Sequence, residues 1–182
     1  MSNSMRAKKG IIWGVFLLYL LLLAKILFLS RLSFGDLFDT GRGVSRSVNL
    51  MPFLSIRAYL SGETEILRQF SYANVVGNII LFMPLGFILP TLKRNKTVAM
   101  NMIIILAATL FAEIVQWAFG IGTADIDDVI LNCLGGLLGM GSYHVVNLAM
   151  RNEKNTLTAI AILCALGLPV IWLFLFKINM NF

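Results

Sequence analysis

Six acids and amides interrupt an otherwise apolar stretch of this chain. Glu113 and Gln116 lie three apart in "FAEIVQWAF", and Asp125, Asp127, Asp128 and Asn132 follow in "ADIDDVILNC". Two further amides, Asn74 and Asn78, sit one turn apart in "NVVGN", and Arg46 and Asn49 occur in "RSVNLMPF". These types allow three chemistries. Glu113 or Asp128 could act as a general base, with Arg46 gripping a phosphate through its planar donor fork. The same groups could bind the polar head of a ligand without reacting. Oxygen ligands of this kind also suit Ca²⁺ or Mg²⁺. No dedicated metal loop is visible and no His joins the group, so neither a metal nor a cofactor is expected. Nor is there a convincing nucleophile, so whether a reaction occurs stays open. Beside all three stands a purely structural reading, in which the cluster is a polar network holding helices in register.

The elements that must carry these residues are membrane helices. Of the 182 residues, 58% are hydrophobic and 13% charged, and mean hydropathy is +0.84. A soluble domain of this size leaves too much surface wet to hide that much apolar area. The net charge of +6 does not point to nucleic acid, because the basic residues sit in short groups beside apolar runs instead of forming a stripe. Cys133 and Cys164 have neither disulfide nor metal spacing and read as buried free thiols.

A bilayer crossing takes about 20 mostly apolar residues. Five runs qualify, at 11–29, 74–92, 98–119, 126–147 and 157–176. The reading is an all-α integral membrane protein, one domain over 1–182, in the bacterial cytoplasmic membrane. The first run is kept as a signal anchor, since no small-residue cleavage site follows it. Arg6, Lys8 and Lys9 precede it. Lys93, Arg94 and Lys96 fill the second loop, and Arg151 and Lys154 the fourth. Those three segments are expected inside, with the N-terminus cytoplasmic and a long extracytoplasmic loop, 30–73, between the first two spans. Within that loop "EILRQFSYA" is expected to form a short interfacial helix, and Pro52-Phe53 a turn. Pro84 and Gly86 are expected to kink the second span.

With this topology the polar residues converge. Asn74, Asn78, Glu113, Gln116, Asp125, Asp128 and Asn132 all fall in the outer part of three helices. Asp125, Asp128 and Asn132 are spaced i, i+3 and i+7, on one face. Asp127 points elsewhere and suits a helix N-terminus. At about 1.5 Å per residue, Asn78, Glu113 and Asn132 lie only about 6 to 10 Å below the outer boundary. Gly135 and Gly139 form a small-xxx-small pair for close helix approach, beside Gly136 and Gly141.

In that order, "VNLMPF", "NVVGNIILFMPLGF", the Glu and Gln three apart, and "DIDDVILNCLGGLLG" resemble the VanZ-like family over about residues 46–141. Many members carry an Arg in the short loop before the Asp cluster. Here that loop reads "GIGTA", which shifts weight to Arg46. The resemblance implies a cell-envelope role in Gram-positive bacteria and low-level antibiotic resistance to teicoplanin-type lipoglycopeptides. The expected binding set is Arg46, Asn49, Asn74, Asn78, Glu113, Gln116, Asp125, Asp128 and Asn132. Its partners would be membrane lipids and either a lipid-linked cell-wall precursor or the lipoglycopeptide itself, with the oligomeric state open. The alternatives are a membrane enzyme acting on a lipid-linked substrate and a small lipid transporter.

Overall fold

Inside a bilayer no water is available for backbone groups, so an apolar run closes its own hydrogen bonds as a helix. The computed structural model follows that rule at all five runs. It describes residues 3–29, 46–54, 57, 61, 65–92, 97–173 and 176. Helix α1 covers Asn3–Ala24 and widens into a π turn over Lys25–Leu29. Helix α2 covers Glu65–Leu92, α3 Val98–Phe119, α4 Ile126–Met150 and α5 Glu153–Trp172. All five are long and apolar enough to cross a membrane.

Helix α2 departs from expectation. The segment from Glu65 does not form a separate interfacial helix but runs on without a break into the span, through both Pro84 and Pro90. Gly86 lies where α2 meets α4. A Cβ there would overlap the carbonyl of Gly136 on α4, and one at Gly135 or Gly139 would overlap the carbonyl of Ile79 or Met83 on α2. The two backbones therefore touch. Gly136 instead makes room for Ile105 of α3, while Gly141 has open space around it.

Helix α1 packs chiefly on α5, and α3 on α4. The shared core takes Ile12 and Tyr19 from α1, Phe82 from α2, Ile105 from α3, Met140 from α4 and Ile160 from α5. At one end of the bundle, Lys8 donates to Thr158 Oγ1 at 2.6 Å and ties the start of α1 to the start of α5. At the other end the structure adds something absent from the helical reading. Residues Ser47–Asn49 (β1) and Thr123–Asp125 (β2) form a two-stranded parallel ladder, Ser47 facing Thr123 and Asn49 facing Asp125. This strap crosses the ends of α3 and α4.

Candidate functional site

Helix α3 ends where Gly120 turns left-handed (φ 60°). Its N–H bonds the Trp117 carbonyl at 3.1 Å, and the next N–H bonds that of Gln116 at 2.9 Å. Glycine takes that conformation without a Cβ penalty. The chain then runs three residues as β2 and starts α4 at Asp125, an N-cap whose carboxylate accepts from Asp127 N–H at 2.9 Å. Glu113, nearly two turns before the end of α3, accepts from Asp125 N–H at 2.9 Å. The short α3–α4 turn is thus pinned by an acid on each side.

The three Asp residues do three jobs. Asp125 caps α4 and takes the Asn49 amide of the strap through its other oxygen, at 3.1 Å. Asp127, 1% exposed, accepts the N–H of Phe53. Phe53 follows Pro52 in the expected turn, with φ at +65°. A bulky residue rarely adopts that conformation, and the bond to Asp127 helps hold it. Asp128 clamps α2, accepting from Asn78 at 2.7 Å and Asn74 at 3.1 Å. The two amides also bond each other at 3.4 Å. The positive end of the α4 dipole favours all three acids.

Arg46 does not meet the acids. Its guanidinium lies 5.7 Å from the centre of the Trp117 ring and reaches the Ala118 carbonyl at 3.4 Å. Asn49 is turned within the strap, donating to Asp125 and accepting from Met51 N–H at 3.1 Å. Ser47 and Thr123 share a hydroxyl bond of 2.6 Å across the ladder.

The remaining polar residues surround a cavity. A half-open cleft of about 910 Å³ runs between α1 and α5 on one side and α2 and α4 on the other. Its polar end is made by Asn74, Asn78, Glu113, Gln116, Asp128 and Asn132, six of the nine residues in the expected binding set. From there the walls are almost wholly apolar, with Val15 and Leu22 from α1, Ile26 from the π turn, Ile80, Met83, Pro84 and Ile88 from α2, and Leu163, Val170 and Ile171 from α5. Between Asn74 and Ile88 the cleft follows α2 for about 21 Å, at about 1.5 Å per residue. One leaflet's hydrocarbon is about 15 Å deep. The volume lies towards the upper end of the roughly 300–1,000 Å³ of ligand pockets.

Two contacts fix the mouth and the walls. Gln116 donates to the Leu27 carbonyl at 3.0 Å, in the π turn where ordinary helical bonding is disturbed. Tyr19 donates to the Leu81 carbonyl at 2.7 Å and so bridges α1 to α2. Asn132 is 1% exposed; its amide donates to Thr109 Oγ1 at 2.7 Å, and its Oδ1 has no hydrogen-bond partner. Ser142 lines the cleft too, but it lies about 21 Å along α4 from Asp128. That is too far for a base and a nucleophile to cooperate. His144 is exposed, with its ring 5.5 Å from that of Tyr143.

Sequence reasoning missed the apolar half of this site. Tyr19, Gly77 and the α5 wall carry no motif; the one available signal was that α1 and α5 are apolar on every side. It also assigned Asp127 a local role only, though its burial and its bond to Phe53 make it the strap's anchor.

A family model described as VanZ/LLP1 matches residues 16–147. Protein VanZ of Enterococcus faecium is 31% identical over 109 residues, which cover 60% of this chain and 60% of that protein. No solved structure matches the chain. The matched residues run from the middle of α1 almost to the end of α4 and include every polar residue of the cleft. With five membrane-spanning helices around that cleft, the protein is a multi-pass bacterial membrane protein and belongs to the VanZ/LLP1 family.

Proposed function

We propose that this protein alters the response of a Gram-positive envelope to teicoplanin-type lipoglycopeptides by holding an acyl-chained amphiphile of the outer leaflet in its cleft. The amphiphile is a lipid-linked envelope precursor or the drug itself. The carrying observation is the shape and lining of the cleft: polar at one end, apolar for the rest, and at least one leaflet deep. Sidedness follows from charge. Arg6, Lys8, Lys9, Arg151 and Lys154 flank the end opposite the polar cluster, and the sequence joining α2 to α3 carries Lys93, Arg94 and Lys96. That end is cytoplasmic, so the polar end faces out. Arg46, Asn49 and Asp125 act here by holding the strap, and the six cleft residues meet the ligand.

The test is drug susceptibility in a Gram-positive host, teicoplanin beside vancomycin. It compares the intact protein with Gly77→Phe, which fills the cleft where a Cβ meets nothing within 4 Å, and with Asp128→Asn, all at equal membrane expression. Selective tolerance to teicoplanin that disappears in Gly77→Phe is the expected result. A well-expressed Gly77→Phe that protects as well as the intact chain would refute the proposal.

A further inference from the structure

A connecting loop that stands in water is normally polar, and a wetted surface rarely leaves a run of large apolar side chains open. The strap and the turn after it do so. Between Val48 and Leu54 the only polar side chain is that of Asn49, and it is turned inward onto Asp125. Val48, Leu50, Met51, Phe53 and Leu54 are all exposed. Leu50 at 74% and Met51 at 69% are more open than Phe111 and Phe119 on the outside of α3, each 63%.

The backbone under these side chains is prepared for a dry neighbour. The Met51 N–H bonds Asn49 Oδ1, Pro52 has no N–H, and the Phe53 N–H bonds Asp127. Three successive residues therefore present no free donor, which removes much of the cost of leaving water. The Phe53 carbonyl accepts from Arg57 N–H at 2.9 Å. At φ +65° glycine would be the easier residue; a phenylalanine stands there instead, with its ring 52% exposed.

Depth decides what covers the patch. Helices α3 and α4 have 22 and 25 residues, about 33 and 37 Å at about 1.5 Å each. A bilayer offers about 30 Å of hydrocarbon and about 40–45 Å with its headgroups. The helix ends thus stand in the headgroup layer, and β2, which joins them, holds the strap at that level. Arg46 lies against the last turn of α3, over the Trp117 ring and within reach of the Ala118 carbonyl. Trp117 and Phe119 are open on that same turn, and Trp is a residue type that membrane interfaces collect. The apolar patch therefore continues a surface that already faces lipid.

We infer that residues 50–54 form an interfacial anchor, which lays Leu50, Met51, Phe53 and Leu54 into phospholipid of the leaflet at the cleft's polar end. The backbone stays among the headgroups, where irregular structure is tolerated, and the side chains reach the first part of the acyl chains. The anchor does not depend on what the cleft holds.

The experiment uses the full chain with Cys133→Ala and Cys164→Ala, in nanodiscs of phosphatidylcholine and phosphatidylglycerol. Met51→Cys carries a nitrobenzoxadiazole label, a dye whose emission shifts to the blue out of water. Lys154→Cys, exposed beyond α4, is the water reference. Ile162→Cys, exposed in the middle of α5, is the hydrocarbon reference. The quenchers are aqueous iodide and phosphatidylcholine with a nitroxide either near its ester or near its chain end. At Met51 the emission is expected to shift to the blue and most of the iodide quenching at Lys154 to be lost. The nitroxide near the ester should quench this label more than the one near the chain end, the reverse of the order at Ile162. Leu50→Cys gives the same reading should the Met51 variant not fold. Iodide quenching equal to that at Lys154 would place the turn in water and overturn the inference. Loss of iodide quenching with no quenching by either lipid would show that protein covers the patch, and would overturn it equally.

Discussion

On one face of α2, Gly86 and the carbonyls of Ile79 and Met83 lie against α4 with no side chain between. On the other face, Gly77 and Pro84 border a cleft of about 910 Å³. The same residue type thus serves opposite ends on one helix. At the seam a missing side chain lets two backbones meet and gain dispersion contacts, the main attraction between helices in lipid. At the cleft it leaves space. The difference shows that the opening is not loose packing by a poor helix former. The face that can close is closed to backbone contact, and the face left open begins at the acid and amide cluster.

The strongest way to break this comparison is to add one methyl group at the seam. Gly135→Ala and Gly139→Ala place a Cβ against the Ile79 and Met83 carbonyls. Backbone cannot swing aside as a flexible side chain can, so each should cost about 3 kcal/mol, the upper range for overpacking. Unfolding in detergent followed by circular dichroism would show it. A midpoint unchanged in both variants would mean the seam is not tight.

Asp128 joins the two faces, because it lines the cleft and clamps Asn74 and Asn78 of α2 onto the start of α4. Asp128→Ala leaves two amide donors without that acceptor and should cost about 1–3 kcal/mol. Asp128→Asn, which keeps an acceptor oxygen, should recover part of this. Equal losses in the two variants would assign the effect to the charge at the helix N-terminus instead of to the clamp.

Much of this arrangement was legible beforehand, and the limits are physical. The five spans follow from run length alone. The convergence of Asn78, Glu113, Asp128 and Asn132 follows from helical spacing once the spans alternate in direction. The strap was not legible. Three-residue strands are too short for periodicity to show, and Ser47 meets Thr123 only through long-range folding. Arg46 drew attention as the base nearest the acids in type. It settles on the Trp117 face and a free helix-end carbonyl, partners that any cation finds favourable. The interfacial segment from Glu65 has an amphipathic look, but nothing in it stops a helix, so α2 continues through it. A cleft is a property of how helices pack, and apolar residues facing it look the same in sequence as those facing lipid.

A smaller effect of opposite sign sharpens the contrast between the faces. At Gly77 a Cβ would meet nothing within 4 Å, so Gly77→Ala adds helix propensity at no steric cost. It should stabilise by about 0.5–1 kcal/mol, in the same unfolding assay where the seam variants lose stability. Destabilisation by Gly77→Ala would mean that the cleft closes in the membrane and that the two faces are alike.

The smallest expected effect bears most directly on what keeps the cleft open. Tyr19 is 3% exposed and donates to the Leu81 carbonyl, one turn before Pro84 on α2. It reaches from one wall to the other, while α1 otherwise leans on α5. Tyr19→Phe keeps the ring and removes only this bond, and side-chain hydrogen bonds between membrane helices average about 0.6 kcal/mol. Global stability should therefore barely move. A loosened wall, however, should show at Cys164, which faces the cleft from α5. In a Cys133→Ala background, membrane-permeant maleimide should label Cys164 about three-fold faster with Phe at 19, the factor that 0.6 kcal/mol corresponds to when it shifts an open–closed equilibrium. An unchanged labelling rate would place the cleft's width under the control of the α1–α5 packing alone. Tyr19 would then be a satisfied buried hydroxyl with no part in holding the two walls at their distance.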